Sequence, residues 1–288
     1  GIFRFLDPGL WGTSFTRFRE KYAIMGGFGG HQVLKYQNLE DLSRRMAPFT
    51  LRVTRDVLEL PPAQHITVKV KMPREAVQTY VSIRDEAIAE LKSGTLIVAN
   101  ALSRLIRLAQ LTSGSLPSAD GSGIEHVHHA KRDALVDLLE SCDPREPWVV
   151  FGRFHNDLDE TSSAARKANR PCFELSGRIK QLDSWRDSCK RGKGPVLAVQ
   201  IQSGGIGISL VEAAFCCYMS VGYSLAEYEQ SLARNHGPEQ ERSVAYYHLV
   251  CQGTVDTAIR RALVKREDVL KFVCESMLAF QKIEEDEA

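Results

Sequence analysis

Apolar positions change period along the chain, and the changes mark where one kind of structure gives way to another. From His65 to Met72 the apolar residues Ile66, Val68, Val70 and Met72 alternate with polar ones, which predicts a half-exposed strand. From Pro73 to Thr112 the spacing lengthens to that of a helix, through Tyr80, Ile83, Ala87 and Leu91, then Leu102, Leu105, Ile106, Leu108 and Ala109. Two helices interrupted at Ser93-Gly94 follow from it. Upstream, residues 1–50 mix aromatics with Gly26-Gly27-Phe28-Gly29-Gly30 before a charged helical stretch from Asn38 to Met46, and Arg52 to Leu60 reads as extended.

Residues 113–123 (SGSLPSADGSG) hold four serines, three glycines and a proline, so a linker and a domain boundary are expected there. Beyond it short apolar runs alternate with helical stretches. The runs are Trp148 to Phe151, Cys172 to Leu175, Val196 to Ile201, Phe215 to Val221 and Val244 to Val250; the helices are expected at 131–141, 156–169, 180–190 and 225–235. Near-continuous apolar strands separated by helices predict an α/β fold, a parallel sheet with helices on both faces, preceded by a mostly helical segment. Thr254 is placed to cap one last long helix through Ile259, Leu263, Leu270, Val273 and Met277, ending in the acidic tail Glu284 to Glu287.

Composition narrows the function classes only a little. The 288 residues are 43% hydrophobic and 25% charged with net charge +1, so any surface for a polyanion is local. No apolar run approaches the roughly 20 residues that span a bilayer, and no signal-peptide pattern opens the chain, so no membrane partner and an intracellular location are expected, cytoplasmic or nucleoid-associated, with a viral or bacterial origin open. Seven cysteines without a CxxC pair read as reduced thiols. His126, His128 and His129 lie within four residues, but His128 and His129 point apart in most backbones and no cysteine or carboxylate pair stands at ligand spacing, so no metal site is expected. The opening at Gly1, in mid-pattern and without methionine, reads as a cut fragment.

Chemistry concentrates in two blocks. After the run at 196–201 comes Gln202-Ser203-Gly204-Gly205-Ile206-Gly207-Ile208-Ser209-Leu210, whose glycines let backbone approach a ligand and whose N–H groups suit an anion. A tight turn accounts for a GGxG equally well, and the GK[ST] of a phosphate loop is missing. After the run at 215–221, Gln230, Arg234, His236 and Gln240 fall within eleven residues, with Gln230 and Arg234 on one helix face. An arginine at a sheet edge is the group that can neutralise charge on a γ-phosphate, whereas a solvated helix face is the plain alternative.

The string from Pro147 to Lys271 resembles the second RecA-like lobe of Swi/Snf-type, superfamily 2 DNA-dependent ATPases, block by block. WVVFGRF resembles the fourth helicase motif, and FELSGRI with Trp185-Arg186 resembles the strand and turn before the family's R-x-x-x-x-x-F helix. QSGGIGISLVEA resembles the fifth motif, and YSLAEYEQSLARNHGPEQ resembles the sixth, Q-x-x-x-R-x-H-R-x-G-Q. VAYYHLVCQGTVDTAI resembles the family's next strand and the Gly-Thr-(Val/Ile)-(Asp/Glu) start of the helix after it. Weaker likeness extends upstream through FRFLDPGLWGTSFTRFREKY, Arg55 to Pro61 and Leu105 to Gly114. The resemblance implies residues 1–112 as the tail of a first motor lobe with a helical protrusion, 113–123 as linker, 124–266 as the second lobe and 267–288 as a terminal helix with its tail.

It also implies a function: one half of an ATP-dependent double-stranded DNA translocase. Arg234 is then the finger and Gln230 its companion, with Gly205, Gly207, Arg234 and Gly237 toward ATP, and Ser176, Gly177, Arg178, Ser203 and Gly204 toward DNA phosphates. ATP and Mg²⁺ would be held mainly by the first RecA-like lobe of the same protein, because no Walker A lysine loop or DEAH-type box occurs in the 288 residues, and this chain alone is expected to be inactive. Four departures stand against the family pattern. Its second arginine falls on Gly237, its glycine on Glu239, its Trp-Asn-Pro turn on Tyr223-Ser224-Leu225, and its basic residue before the glycines on Gln202. A catalytically weakened DNA-binding or scaffold module is therefore the alternative, and an α/β transferase with a nucleotide cofactor would account for the glycines but not for the block from Gln230 to Gln240.

Overall fold

Six strands form one all-parallel sheet in the order β3-β10-β9-β6-β8-β7. These are β3 (Ala63–Val70), β6 (Trp148–Gly152), β7 (Cys172–Leu175), β8 (Val196–Gln200), β9 (Phe215–Tyr218) and β10 (Val244–Cys251). The computed structural model describes residues 5, 7–26, 32–51, 60–92, 98–118, 123–202 and 207–286, and it divides into two compact units, Gly1–Glu59 and Leu60–Ala288. The sheet belongs to the second.

In the first unit, α1 (Pro8–Trp11) and α2 (Phe15–Tyr22) precede an antiparallel pair, β1 (Ala23–Gly26) and β2 (Gln32–Tyr36), and then α3 (Leu39–Met46). Trp11, Phe18 and Tyr22 pack ring against ring at 5.0–5.4 Å. Asp41 gathers Lys21, the Tyr22 hydroxyl, Arg44 and Arg45, and those bonds, Lys21 first, hold its carboxyl well below the usual range.

The second unit is built in three layers. Alternate strand residues point to opposite faces, and both faces are covered. Val149, Phe151, Leu197, Val199, Cys216, Tyr218 and Tyr246 pack with α4 (Arg74–Lys92), α5 (Val98–Thr112), α8 (Leu182–Lys190), α9 (Leu225–Asn235), α10 (Val255–Lys265) and α11 (Val269–Asp286). Trp148, Val150, Val196, Cys217, Met219 and Leu249 face α6 (Ala130–Glu140) and α7 (His155–Lys167). Cys216 and Cys217 thus serve opposite faces, and all seven cysteines are free thiols. No helix among the described residues is long and apolar enough to cross a membrane.

Three boundaries differ from expectation for physical reasons. The two units meet between Glu59 and Leu60, not at 113–123, because β3 pairs residue for residue with β10 from Ala63 opposite Val244 to Val70 opposite Cys251. Within 113–123, Ser115–Pro117 (β4) pairs with Ile124–His126 (β5); Gly114 turns at φ +94°, and a Cβ there would lie 2.2 Å from the His128 carbonyl oxygen, so the close approach needs glycine. The expected single last helix breaks at Arg266, whose φ of 57° lets Arg266 and Glu267 N–H groups close back on Leu263 and Ala262. Asp268 then receives the Lys271 N–H and restarts the helix as α11. The extended reading of Arg52 to Glu59 and the break at Ser93-Gly94 lie outside the described residues.

A buried ion pair closes the sheet's carboxyl edge. Lys131, 1% exposed, donates to Asp256 at 2.7 Å and to the Met219 carbonyl at 2.9 Å. Asp256 also accepts from Cys251 N–H at 3.1 Å and from the Thr112 hydroxyl at 2.9 Å, so the pair joins α5, α6, β9, β10 and α10. Burial pulls the Lys131 ammonium down, but Asp256 outweighs it and the net shift is upward. Asp256→Asn should cost about 3–5 kcal/mol, the scale for a buried charge stripped of its partner. Denaturant unfolding of Asp256→Asn beside Lys131→Met and the double variant checks this: the double should cost less than the sum, and additivity would mean that the two side chains are not coupled.

Candidate functional site

The crossover helix α9 starts at the carboxyl edge and ends at the amino edge, so it carries its last turn away from the strand ends where a ligand crevice normally forms. Ser224 caps its start by accepting the Glu227 N–H. Three tyrosine hydroxyls then hold it on the sheet: Tyr218 meets Ser231 Oγ at 2.7 Å, Tyr246 donates to the Leu232 carbonyl at 2.8 Å, and Tyr228 meets His248 Nε2 at 2.9 Å. Burial and Arg260 keep His248 well below the ordinary imidazole value, which leaves a neutral ring for that bond. The end of α9 is thereby fixed in position, with Gln230 exposed and Arg234 half-buried. Burial pulls the Arg234 guanidinium below its ordinary value.

Side chains from Asn235 to Arg242, together with Arg186, grip the loop that enters β9. Five successive carbonyls of that loop accept side-chain donors. Arg186 reaches Ser209 at 2.7 Å, Asn235 reaches Leu210 at 2.8 Å and Ala213 at 3.3 Å, Gln240 reaches Val211 at 3.1 Å, and Arg242 reaches Glu212 at 3.0 Å. The Leu210 N–H returns a bond to the Arg234 carbonyl at 2.7 Å. Leu210 and Ala213 are fully buried whereas Ser209, Val211 and Glu212 are half-buried, so the Asn235 bonds serve the carbonyls that water reaches least. Gln240 also donates to the Asn235 carbonyl and accepts from the Arg242 N–H, while His236 Nε2 meets the Pro61 carbonyl at 2.7 Å. His236 and Gln240, singled out in the sequence for chemistry, are thus committed to backbone.

The predicted site residues separate into two places. Arg234 and Gly237 stand at the amino edge, whereas Ser176, Gly177 and Arg178 form the turn beyond the carboxyl end of β7. Ser176 is buried, its hydroxyl donating to Glu174 at 2.5 Å and accepting from Arg178 and Ile179 N–H groups. The Arg178 side chain is clamped by Glu174 and Asp159, which raise its already high pKa further. Gly177 is exposed. Ser203, Gly204 and Gly205 lie outside the described residues; Gly207, exposed at φ +94°, has no atom within 4 Å of where a Cβ would stand.

Residues that the sequence pattern does not mark hold this frame. Asn235, inside the block, and Arg242, just beyond it, do not belong to its pattern, and the available signal is an unusual density of amide and guanidinium groups at and past a helix end. At the carboxyl edge Asp157, wholly buried, accepts from Arg153 and Phe154 N–H groups and the Ser220 hydroxyl. Burial nevertheless pushes its carboxyl up. The Arg153 guanidinium stacks 4.9 Å from the Tyr223 ring.

Comparison with known proteins adds lineage to this geometry. No family model matches the chain. It is 25% identical over 317 aligned residues to the DNA repair and recombination protein RDH54 of Saccharomyces cerevisiae, covering 99% of this chain and 33% of RDH54. Protein p41 of Acyrthosiphon pisum secondary endosymbiont phage 1 is 24% identical over 229 residues, 77% of this chain and 48% of p41, so the chain spans half or less of these curated relatives. The SWI2/SNF2 ATPase core of Sulfolobus solfataricus in complex with dsDNA superposes at TM-score 0.56 and 20% identity, over 91% of this chain and 56% of that one. The C-terminal part of the Fun30 ATPase domain superposes at 0.58 and 14%, over 78% and 99%. At those identities the two structures speak for the fold.

The side-chain frame makes a testable demand. Gln240→Ala removes donors from two carbonyls and should cost about 1–3 kcal/mol, with hydrogen exchange rising in 207–214 before it rises in β6 or β8. Exchange that speeds up uniformly, or not at all, would mean that Gln240 does not hold the loop.

Proposed function

We propose that this chain is the C-terminal half of an ATP-driven translocase on double-stranded DNA, in which Arg234 is the arginine finger. The observation that carries the reading is the lock between the segment 209–213 and the end of α9: a change at the nucleotide moves the loop that leads from β8, and a change at the loop moves Arg234. The loop starts at the carboxyl edge, where the turn Ser176-Gly177-Arg178 stands, and ends at the amino edge beside Arg234. It is therefore a connection able to couple a DNA track on one edge to a nucleotide on the other.

In this reading the first RecA-like lobe of the same protein grips ATP and Mg²⁺, since the 288 residues contain no GK[ST] loop, and lobe closure brings Arg234 to the γ-phosphate. A guanidinium keeps its charge at any working pH, and half-burial strengthens its field on a phosphoryl group. Gln230, one turn back on α9, helps to position Arg234 and to close the nucleotide cleft, and Gly205, Gly207 and Gly237 lie toward ATP. On the DNA side, Ser203, Gly204 and the exposed Gly177 offer backbone to phosphates. Ser176 shapes that turn from within, and Arg178 engages DNA by exchanging a carboxylate partner for a phosphate.

In the complete protein, Arg234→Ala should lower DNA-stimulated ATP turnover by about 10³–10⁵ while DNA affinity changes little. Parallel assays of turnover and of salt-dependent DNA binding decide it; equal loss of both would put Arg234 in the DNA track or the core.

Gly237 supports the second reading, a DNA-binding scaffold, because the family's second arginine is absent there. The position admits a side chain: its φ is not in the left-handed region, and a Cβ would stand 3.6 Å from the Ala233 carbonyl oxygen, an ordinary contact. Gly237→Arg with Glu239→Gly should therefore raise turnover at saturating ATP and DNA if the motor works. Unchanged or lower turnover in a folded variant favours the scaffold.

A further inference from the structure

Two histidines and a carboxylate converge on the face of the lobe opposite α9. His126 ends β5, His129 stands immediately before α6, and Glu160 projects from α7. His129 Nδ1 lies 2.9 Å from Glu160 Oε2, His126 Nδ1 lies 3.8 Å from Glu160 Oε1, and the three donor atoms all fall within 4.8 Å of one another. No local spacing pattern points to a carboxylate here, because Glu160 is 31 residues from His129. His128, the histidine between them, turns inward to the Leu111 carbonyl and takes no part.

We propose that His126, His129 and Glu160 form a binding site for a divalent transition metal of the zinc class. Metal–ligand bonds of about 2.0–2.2 Å at a tetrahedral centre set donors roughly 3.4 Å apart, and three donor atoms already within 4.8 Å of one another can reach that spacing by side-chain rotation. Glu160 is 8% exposed, which makes its charge expensive to leave without a cation. Arg132 stands 3.7 Å from the same carboxylate but is already bonded to Asp133 at 2.9–3.0 Å, so it can yield Glu160 without losing its own partner. His126 and His129 are 50% and 41% exposed, which provides a path for the ion and leaves the fourth position to water. Two imidazoles select zinc, cobalt or nickel over magnesium and calcium, whose ligands are oxygens.

The consequence is mechanical. The ion ties the β4–β5 hairpin to α6 and α7, and the hairpin is the stretch through which the chain passes from α5 into the α/β alternation. By itself the hairpin is a short ladder of three residue pairs, too small to be stable without such support.

The test uses the whole chain, freed of metal with EDTA. Titration with zinc chloride followed by calorimetry should show one saturable equivalent, and zinc but not magnesium should raise the melting temperature. Cobalt should give visible d–d absorption without the near-ultraviolet thiolate band that cysteine ligation would produce. His126→Ala and Glu160→Gln should each weaken zinc binding at least about tenfold, since even an outer partner of a metal ligand costs roughly 10–100-fold. His126 is exposed, so His126→Ala carries the test by itself if circular dichroism shows Glu160→Gln unfolded. Absence of saturable binding, a thiolate band, or zinc affinity unchanged in a folded His126→Ala chain would each overturn the site.

Discussion

An irregular segment has no ladder to pair its backbone carbonyls, and the partly buried stretch from Ser209 to Ala213 pairs all five with side-chain donors. Everything proposed for this lobe depends on that pairing. Leaving several carbonyls unpaired would cost about 1–3 kcal/mol each, a sum comparable to the whole stability of a domain. The donors therefore cannot drift: Asn235, Gln240 and Arg242 are held where the loop needs them, and Arg234, bonded to the Leu210 N–H through its own carbonyl, is held with them. A residue with a proposed role in chemistry is positioned by neighbours whose role is to satisfy backbone.

The opposite edge solves the same problem with charge. Lys131 and Asp256 are both out of water, and neither would be tolerable alone. Asp256 also lies in the first turn of α10, where the helix dipole favours a negative group, and it takes the Cys251 N–H at the very end of β10. Asp157 does the equivalent beside β6, accepting two N–H groups and the Ser220 hydroxyl. Many of the polar groups along the carboxyl edge between β6 and β10 are thus engaged internally. The turn after β7 remains exposed at Gly177 and Arg178.

The five strands from β6 to β10 are legible in the sequence because each is a short, largely apolar run, and the run length separates them from the helices between. The place of β3 is not. Its alternation shows a half-exposed strand, but its partner β10 lies some 180 residues away and leaves no local trace, so the serine-rich stretch at 113–123 presents itself as the better boundary. The break at Arg266 is hidden for a related reason: a left-handed residue that is neither glycine nor asparagine carries no warning in its identity. In the site, the spacing of Gln230 and Arg234 places both on α9, yet nothing in the polar residues 235–242 separates a donor to backbone from a donor to a ligand. His236 and Gln240 look like chemistry and are scaffolding.

This distinction bears on how the missing arginine at Gly237 is to be understood. If polar residues near the end of α9 were there for catalysis alone, loss of one would release the others, and Asn235, His236 and Gln240 would have no reason to keep their geometry. They keep it because the loop at 209–213 and the start of β3 at Pro61 demand it. The frame thus survives whether or not hydrolysis does, and its integrity cannot discriminate a motor from a scaffold. The discriminating positions are those outside these carbonyl contacts: the exposed Gln230 and the open position at Gly237. An arginine side chain costs burial and desolvation where Arg234 stands, and the backbone bond from Leu210 N–H could be made by any residue there. That bond fixes the backbone of residue 234 and does not itself call for an arginine.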